Sequence, residues 1–244
     1  MEIKEFYALC EKLFSLNIPN INITDFEIEK LYSLTNRMLE VNKVMNLTAI
    51  KEEKDVILKH YVDSLLISEF IPKNSKIIDI GCGAGFPTLP LAIFRQDISI
   101  TALDSTAKRI KYVSETVDLL SLNNVTAVAD RAEILAHNLE YREKFDIATA
   151  RAVASLPILT ELSLPYVKLG GKFIAMKSQK AADELSLSTN AIKKCGGEIE
   201  NSFDRTLTDD QLNSDQRNIT VIVKAKLTPK DLPRHYSKIN KKPL

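Results

Sequence analysis

The spacing of apolar residues changes character near residue 76. Before it the period is helical. In DFEIEKLYSLTNRMLEVNKVMNL, Phe26, Leu31, Leu34, Met38, Val41 and Met45 recur at intervals that share one helix face. Thr24 or Asp25 is placed to cap this helix. EEKDVILKHYVDSLLISEF repeats the pattern with Val56, Leu58, Tyr61, Leu65 and Phe70, and Pro72 ends it.

Beyond that point short β-rich runs alternate with amphipathic segments. Strands are predicted at 76–80, 98–104, 125–129, 145–150 and 171–177, with helices near 87–95, 106–120, 156–168 and 180–194. EIENSFDRTL and NITVIVKAK read as two strands with no helix between them. The βαβα order, closed by an antiparallel pair, predicts an α/β fold: an open, mostly parallel sheet with helices on both faces. Residues 1–70 form a helical region before it, 71–226 the sheet domain, and 227–244 a tail.

Three glycines in five residues, Gly81, Gly83 and Gly85, follow the first strand. In an open α/β sheet, ligands bind beyond the carboxyl ends of the strands, so a site is expected here. A dinucleotide fingerprint has glycine at the sixth position, where this chain has Phe86, which counts against an NAD-dependent oxidoreductase. Asp104 ends the second strand, about twenty residues on, where an acid meets the ribose hydroxyls of an adenosine. Together they select adenosine with a free ribose, as in NAD or S-adenosylmethionine (SAM). Asp79 is expected to take hydrogen bonds from amides of the glycine loop. DRAEIL (130–135), after the third strand, is placed beside the first strand at the adenine end of the cleft. Arg151, after the fourth strand, falls at its mouth. His60 and Ser64 are four apart and share a helix face, but no G-x-S-x-G elbow accompanies them.

Composition narrows the class. Apolar residues at 45% and charged residues at 27% exclude a disordered chain or a collagen. The amino terminus lacks the basic start and apolar run of a signal peptide, and no run is long enough to span a bilayer. A cytoplasmic protein without membrane contact is expected, and a monomer, since no strong heptad is present. Cys10, Cys82 and Cys195 are odd in number and far apart, which suggests neither disulfides nor zinc, and no two histidines sit at ligand spacing. Four Asn-x-Thr sequons, at Asn22, Asn46, Asn124 and Asn218, are chance matches without a secretory signal. Net charge is only +1, yet Lys224, Lys226, Lys230, Arg234, Lys238, Lys241 and Lys242 crowd the last stretch beside one acid, Asp231. Such a tail attracts polyphosphate, including RNA, or merely solubilises a terminus.

NLTAI (46–50), KHYVDSL (59–65), IDIGCGAGFPTLPLAI (78–93), LDSTAKRIKYV (103–113), DRAE (130–133), TARAVASLP (149–157) and MKS (176–178) occur in this order. The ordered set closely resembles the bacterial RsmG (GidB) methyltransferases, over roughly residues 26–226. The resemblance implies a class I SAM-dependent methyltransferase fold, Rossmann-like, with seven strands and an antiparallel terminal strand. It implies methylation of N7 of one guanine in the 530 loop of 16S ribosomal RNA in the small subunit. It assigns SAM contacts to Gly81, Phe86, Ala132, Glu133 and Arg151, and the ribose acid to Asp104; Gly83, in the same glycine turn, is expected to bind the cofactor with them. Arg151, Lys177 and His60 are the candidates for a catalytic part, and Asp63 matches a further motif position. The tail departs from the family: Arg234 and the final Lys-Pro-Leu are kept, but His235, Tyr236 and Ser237 stand where a Gly and Pro turn is common.

Guanine N7 carries no proton in the neutral base, so no strong general base is needed and positioning is the main task. Tail residues, with Arg109 and Lys111, are candidates for holding the RNA backbone. Three other readings compete: an NAD-dependent oxidoreductase, a SAM-dependent methyltransferase for another RNA or a small molecule, and an RNA-binding module without activity.

Overall fold

The sheet runs in the order β3-β2-β1-β4-β5-β7-β6, so the chain reverses direction across the sheet between β1 and β4. The computed structural model describes residues 1–151, 153–178 and 181–244. Ala152 of TARAVASLP and Lys180, the expected start of one helix, lie outside the described residues. The strands are β1 (Lys76–Ile80), β2 (Ser99–Asp104), β3 (Val125–Ala129), β4 (Phe145–Arg151), β5 (Val167–Ser178), β6 (Gly197–Thr208) and β7 (Ser214–Lys224). Strands β1 to β5 pair in parallel, and β7 runs antiparallel to both β5 and β6. The last strand in sequence is therefore inserted between its neighbours rather than added at the edge. β3 is an edge strand paired only with β2, which corrects the expectation that the segment after it lies beside the first strand.

Alternation along the strands divides the core in two. Ile77, Ile100, Ile147, Ile174 and Val221 face one cluster, while Ile78, Leu103, Ala148, Phe173 and Ile222 face the other. The first cluster also contains the amino-terminal helices α1 (Ile3–Asn17) and α2 (Asp25–Met45). From α1 it takes Phe6, Leu13 and Phe14, each worth about 1.5–3 kcal/mol when fully buried. α1 also guards the open edge of the sheet. The Asn17 side chain donates to the Thr208 carbonyl (2.9 Å) and accepts from its N–H (2.6 Å), matching backbone groups that would otherwise invite another strand.

Thr24 caps α2 through a capping box with Glu27. The buried stripe is Ile28, Leu31, Leu34 and Met38, whereas Phe26, expected on it, is half exposed. The next helical stretch joins α3 (Glu53–Val56), a π-helical turn (Ile57–Val62) and α4 (Asp63–Leu65) without a break. It is buried nearly all round, and the wide turn resets its faces at His60 and Asp63. The crossover helices are α5 (Thr88–Phe94), α6 (Ala107–Leu119), α7 (Ala132–Leu135), α8 (Leu156–Ser163) and α9 (Ala181–Lys194). α8 is shorter than expected: Pro165 stops it, a 3-10 turn follows, and β5 starts at Val167.

The tail, expected as a basic appendage, is docked. It carries α10 (Tyr236–Lys241), and Leu232 and Ile239 join the second cluster. Lys224 is buried, bound to the Leu164 carbonyl (2.6 Å), Thr228 and Glu143 (3.2 Å), and burial pulls its ammonium down to about 8. Arg234 pairs with Glu161. Lys226, Lys230, Lys238, Lys241 and Lys242 remain exposed. No described helix is long and apolar enough to cross a membrane.

Candidate active site

The carboxyl ends of β1 to β4 enclose a cavity of about 550 Å³ at the point where strand order reverses. Gly81, Cys82, Gly83 and Phe86 line it after β1, Asp104 at the end of β2, Asp130 to Glu133 after β3, and Arg151 at the end of β4. Every residue that sequence reasoning gave to the cofactor reaches this one space, and His60 joins it from the π-helical turn. Lys177 does not.

The glycine turn is built from backbone. The N–H groups of Gly81 and Cys82 both donate to the Leu103 carbonyl (2.7 and 3.0 Å), folding the loop back over β2. Gly81 has φ +73, and a Cβ there would meet the Val153 side chain at 2.7 Å. Gly83 has φ +58 and faces open space, with only the Gly81 carbonyl as near as 4.0 Å, so its backbone can approach a ligand. Asp104 holds this geometry. Its Oδ2 accepts from the Gly83 N–H (3.0 Å) and its Oδ1 from the Thr106 N–H (2.8 Å), with Arg109 at 3.7 Å. A carboxylate has about four lone-pair sites, so both oxygens keep capacity for a ribose diol.

Asp104, not Asp79, is thus the acid that receives a glycine-loop amide. Asp79 accepts from the Thr88 hydroxyl (2.6 Å), and its Oδ1 has no hydrogen-bond partner among the described residues. Burial pushes its carboxyl up to about 6. Its role is to tie β1 to the start of α5. On the opposite wall Glu133 is buried and accepts from Arg131 Nε (2.6 Å), while the Ala132 carbonyl accepts from the Tyr166 hydroxyl (2.7 Å). Burial holds the Cys82 thiol well above its ordinary range, so it is no thiolate nucleophile.

Phe86 explains why a bulky residue follows the turn. The His60 imidazole stacks on its ring, and the Arg151 guanidinium lies 5.4 Å from the ring centroid. His60 is fixed at both nitrogens. Arg151 only donates, so Nδ1 accepts from it (3.2 Å), and the Nε2 proton goes to Thr48 Oγ1 (3.0 Å). Asn42 clamps Thr48 through both backbone groups. Burial, then the Arg151 charge, lowers His60 to about 3, so the ring is neutral. Arg151 also donates to the Lys59 carbonyl (2.9 Å) and to Asp63 Oδ2 (3.0 Å), while Asp63 Oδ1 accepts from Arg217 Nε (3.1 Å). The partner of His60 is therefore not Ser64, whose hydroxyl is buried without a hydrogen bond among the described residues.

A second cavity, of about 420 Å³, shares the His60 and Arg151 wall. Lys59, Lys177, Ser178 and Arg217 line it, and Lys177 binds the Ala154 carbonyl (2.7 Å) and Glu184 (2.8 Å). Sequence reasoning missed Thr48, Arg131, Arg217 and Tyr236, all in these walls. Thr48 lies inside the NLTAI motif. Arg217 is visible only from register, which sets it opposite Ser178. Among the described residues there is no cluster of three or more His, Cys, Asp or Glu able to hold a metal ion.

A seven-stranded sheet with β7 inserted antiparallel, and a glycine turn joined to a strand-end acid at its switch point, define a class I SAM-dependent methyltransferase. The chain belongs to a particular family, rRNA small subunit methyltransferase G (GidB), whose profile matches residues 27–212. It is 43% identical to the ribosomal RNA small subunit methyltransferase G of Leuconostoc citreum (strain KM20) over 234 residues, 94% of this chain and 96% of the relative. Identity to the protein of that name from Clostridium beijerinckii is 40% over 243 residues, covering 98% and 99%. A crystal structure of precorrin-6y C5,15-methyltransferase from Geobacter metallireducens GS-15 aligns with TM-score 0.50 at 14% identity, over 74% of this chain and 92% of that one. That likeness is one of fold. The NAD-dependent oxidoreductase reading is set aside by the family match.

Proposed function

We propose that this protein methylates N7 of one guanine in the 530 loop of 16S ribosomal RNA, with SAM as donor. The observation that carries this reading is the shared wall of Arg151 and His60 between two cavities. One is lined by the glycine turn and two buried acids, the other in part by Lys59, Lys177 and Arg217. In the first, Gly81 and Gly83 allow backbone approach, Asp104 takes the ribose hydroxyls, Ala132 and Glu133 form the adenine end, and Phe86 and Arg151 close the reactive end. SAM supplies a sulfonium methyl group electrophilic enough for an unprotonated ring nitrogen to attack directly. The second cavity receives the unpaired guanine, with Lys177 and Arg217, each ion-paired, in the wall that meets O6 or phosphate. His60, neutral and committed at both nitrogens, places no charge beside a base that is gaining positive charge. It acts as a positioning residue rather than a base. Exposed tail lysines hold flanking phosphates. The protein works as a monomer in the cytoplasm, on the small subunit.

The test is transfer from labelled SAM to ribosomal subunits from cells lacking this modification. Label enters small-subunit RNA and not large-subunit RNA, and Asp104→Ala abolishes it. Equal labelling of both subunits, or none with SAM demonstrably bound, refutes the proposed substrate.

A further inference from the structure

We infer that Tyr236, on the docked tail, is a wall of the cofactor cavity that contacts the adenosine end of its ligand. The inference rests on the reading of that cavity as the SAM site. It gives the tail a second task beside the RNA binding expected from its charge.

Tyr236 lines the cavity together with Asp130, Arg131, Ala132 and Glu133. It is tied to that wall through Arg131, whose guanidinium lies 5.5 Å from the Tyr236 ring centroid and whose Nε donates to buried Glu133. The ring is held from both sides along the chain. Before it, Arg142 donates to the carbonyls of Thr228, Pro229 and Leu232 (2.9 Å each), and His137 Nε2–H donates to the Pro233 carbonyl (2.9 Å). Arg234 then grips the fully buried Glu161 with its backbone N–H and two guanidinium nitrogens (2.9, 2.8 and 2.6 Å). His235, the residue just before the ring, caps α10, and after it Ile239 is buried in the second cluster. So many fixed points on either side are more than a solubilising tail needs. They hold one aromatic ring against one cavity.

The chemistry selects a purine. An aromatic ring beside a buried carboxylate suits a flat, neutral base that offers both a π-face and exocyclic N–H donors. The Tyr236 hydroxyl makes no hydrogen bond among the described residues, so the ring, not its hydroxyl, carries the predicted contact.

The chain contains no tryptophan, so Tyr236→Trp introduces a single tryptophan at the cavity, which can be excited selectively over the tyrosines. The probe is S-adenosylhomocysteine, titrated into the full-length protein. Emission of Tyr236→Trp is expected to change saturably. Tyr236→Ala should bind about tenfold more weakly, and Tyr236→Phe like the parent protein. Emission unmoved at saturation, with parental affinity in Tyr236→Ala and lost affinity in Asp104→Ala, overturns the role of Tyr236 alone. Parental affinity in both Asp104→Ala and Tyr236→Ala overturns the cavity assignment, and this inference with it.

Discussion

The imidazole of His60 lies flat on the ring of Phe86, with centroids 4.3 Å apart and planes 6° from parallel. This stack locks the amino-terminal helices onto the glycine turn, so helix packing and loop shape are one structural unit. Replacing Phe86 by Leu keeps an apolar side chain but removes the stack. The expected cost is about 1 kcal/mol of stability, and cofactor affinity should fall because the turn loses its lateral support. Thermal melts with and without S-adenosylhomocysteine separate the two effects.

Asp63 is the shared counter-ion of Arg151 and Arg217. Both pairs are largely shielded from water, so removing the acid leaves Arg151 without an ion pair and Arg217 with only Asp215 at 4.0 Å. Asp63→Ala should destabilise the protein by about 3–5 kcal/mol in denaturant unfolding. Adding Arg151→Met should recover part of that loss, since one unpaired charge is then removed.

His60 makes stability depend on pH. Its folded pKa is about 3 against an ordinary 6.5, so between those values the unfolded chain binds the extra proton. The stability it contributes is full above pH 6.5 and is lost as pH falls towards 3. Asp79 acts in the opposite sense, because burial raises it from 3.8 to about 6 and the folded state then binds the extra proton. The span of His60 is the wider, so of this pair the acid-side loss dominates. The stability advantage of the parent protein over His60→Gln should shrink on acidification from pH 6.5, by at most about 1.4 kcal/mol per pH unit. A difference that stays flat across that window contradicts the neutral buried ring.

Lys238, Lys241 and Lys242 are exposed on or just after α10. If they hold phosphates, replacing all three by Ala should flatten the salt dependence of RNA binding. The slope falls by about 0.7–0.9 for each phosphate that is no longer neutralised. The melting temperature should not move, because these side chains support nothing buried. Binding measured at several salt concentrations checks this, and an unchanged slope removes the tail from the RNA interface.

Much of the architecture was legible because its signals are local. Buried parallel strands read as apolar runs, KIIDI above all, and the glycine turn announces a backbone that only glycine tolerates. Asp104 was found from its distance to that turn. What escaped depends on tertiary neighbours. The π-helical turn that brings His60 and Asp63 to Arg151 leaves no mark in the periodicity. Asp79 and Asp104 are both strand acids near the loop, and only the fold decides which one meets the Gly83 amide. Lys224 reads as one more basic tail residue, yet it is buried because a carbonyl, a hydroxyl and Glu143 converge on it. Phe26 and Ile28 each fit a helical stripe, and its phase was fixed only by the core they meet.

On the proposed function, the base that enters beside Arg151 is methylated at guanine N7. Unmodified small subunits would be treated with this protein and labelled SAM, and their RNA digested to nucleosides. Label is expected in 7-methylguanosine alone, from one site in the 530 loop. Label in any other methylated nucleoside, or spread over several sites, would contradict it.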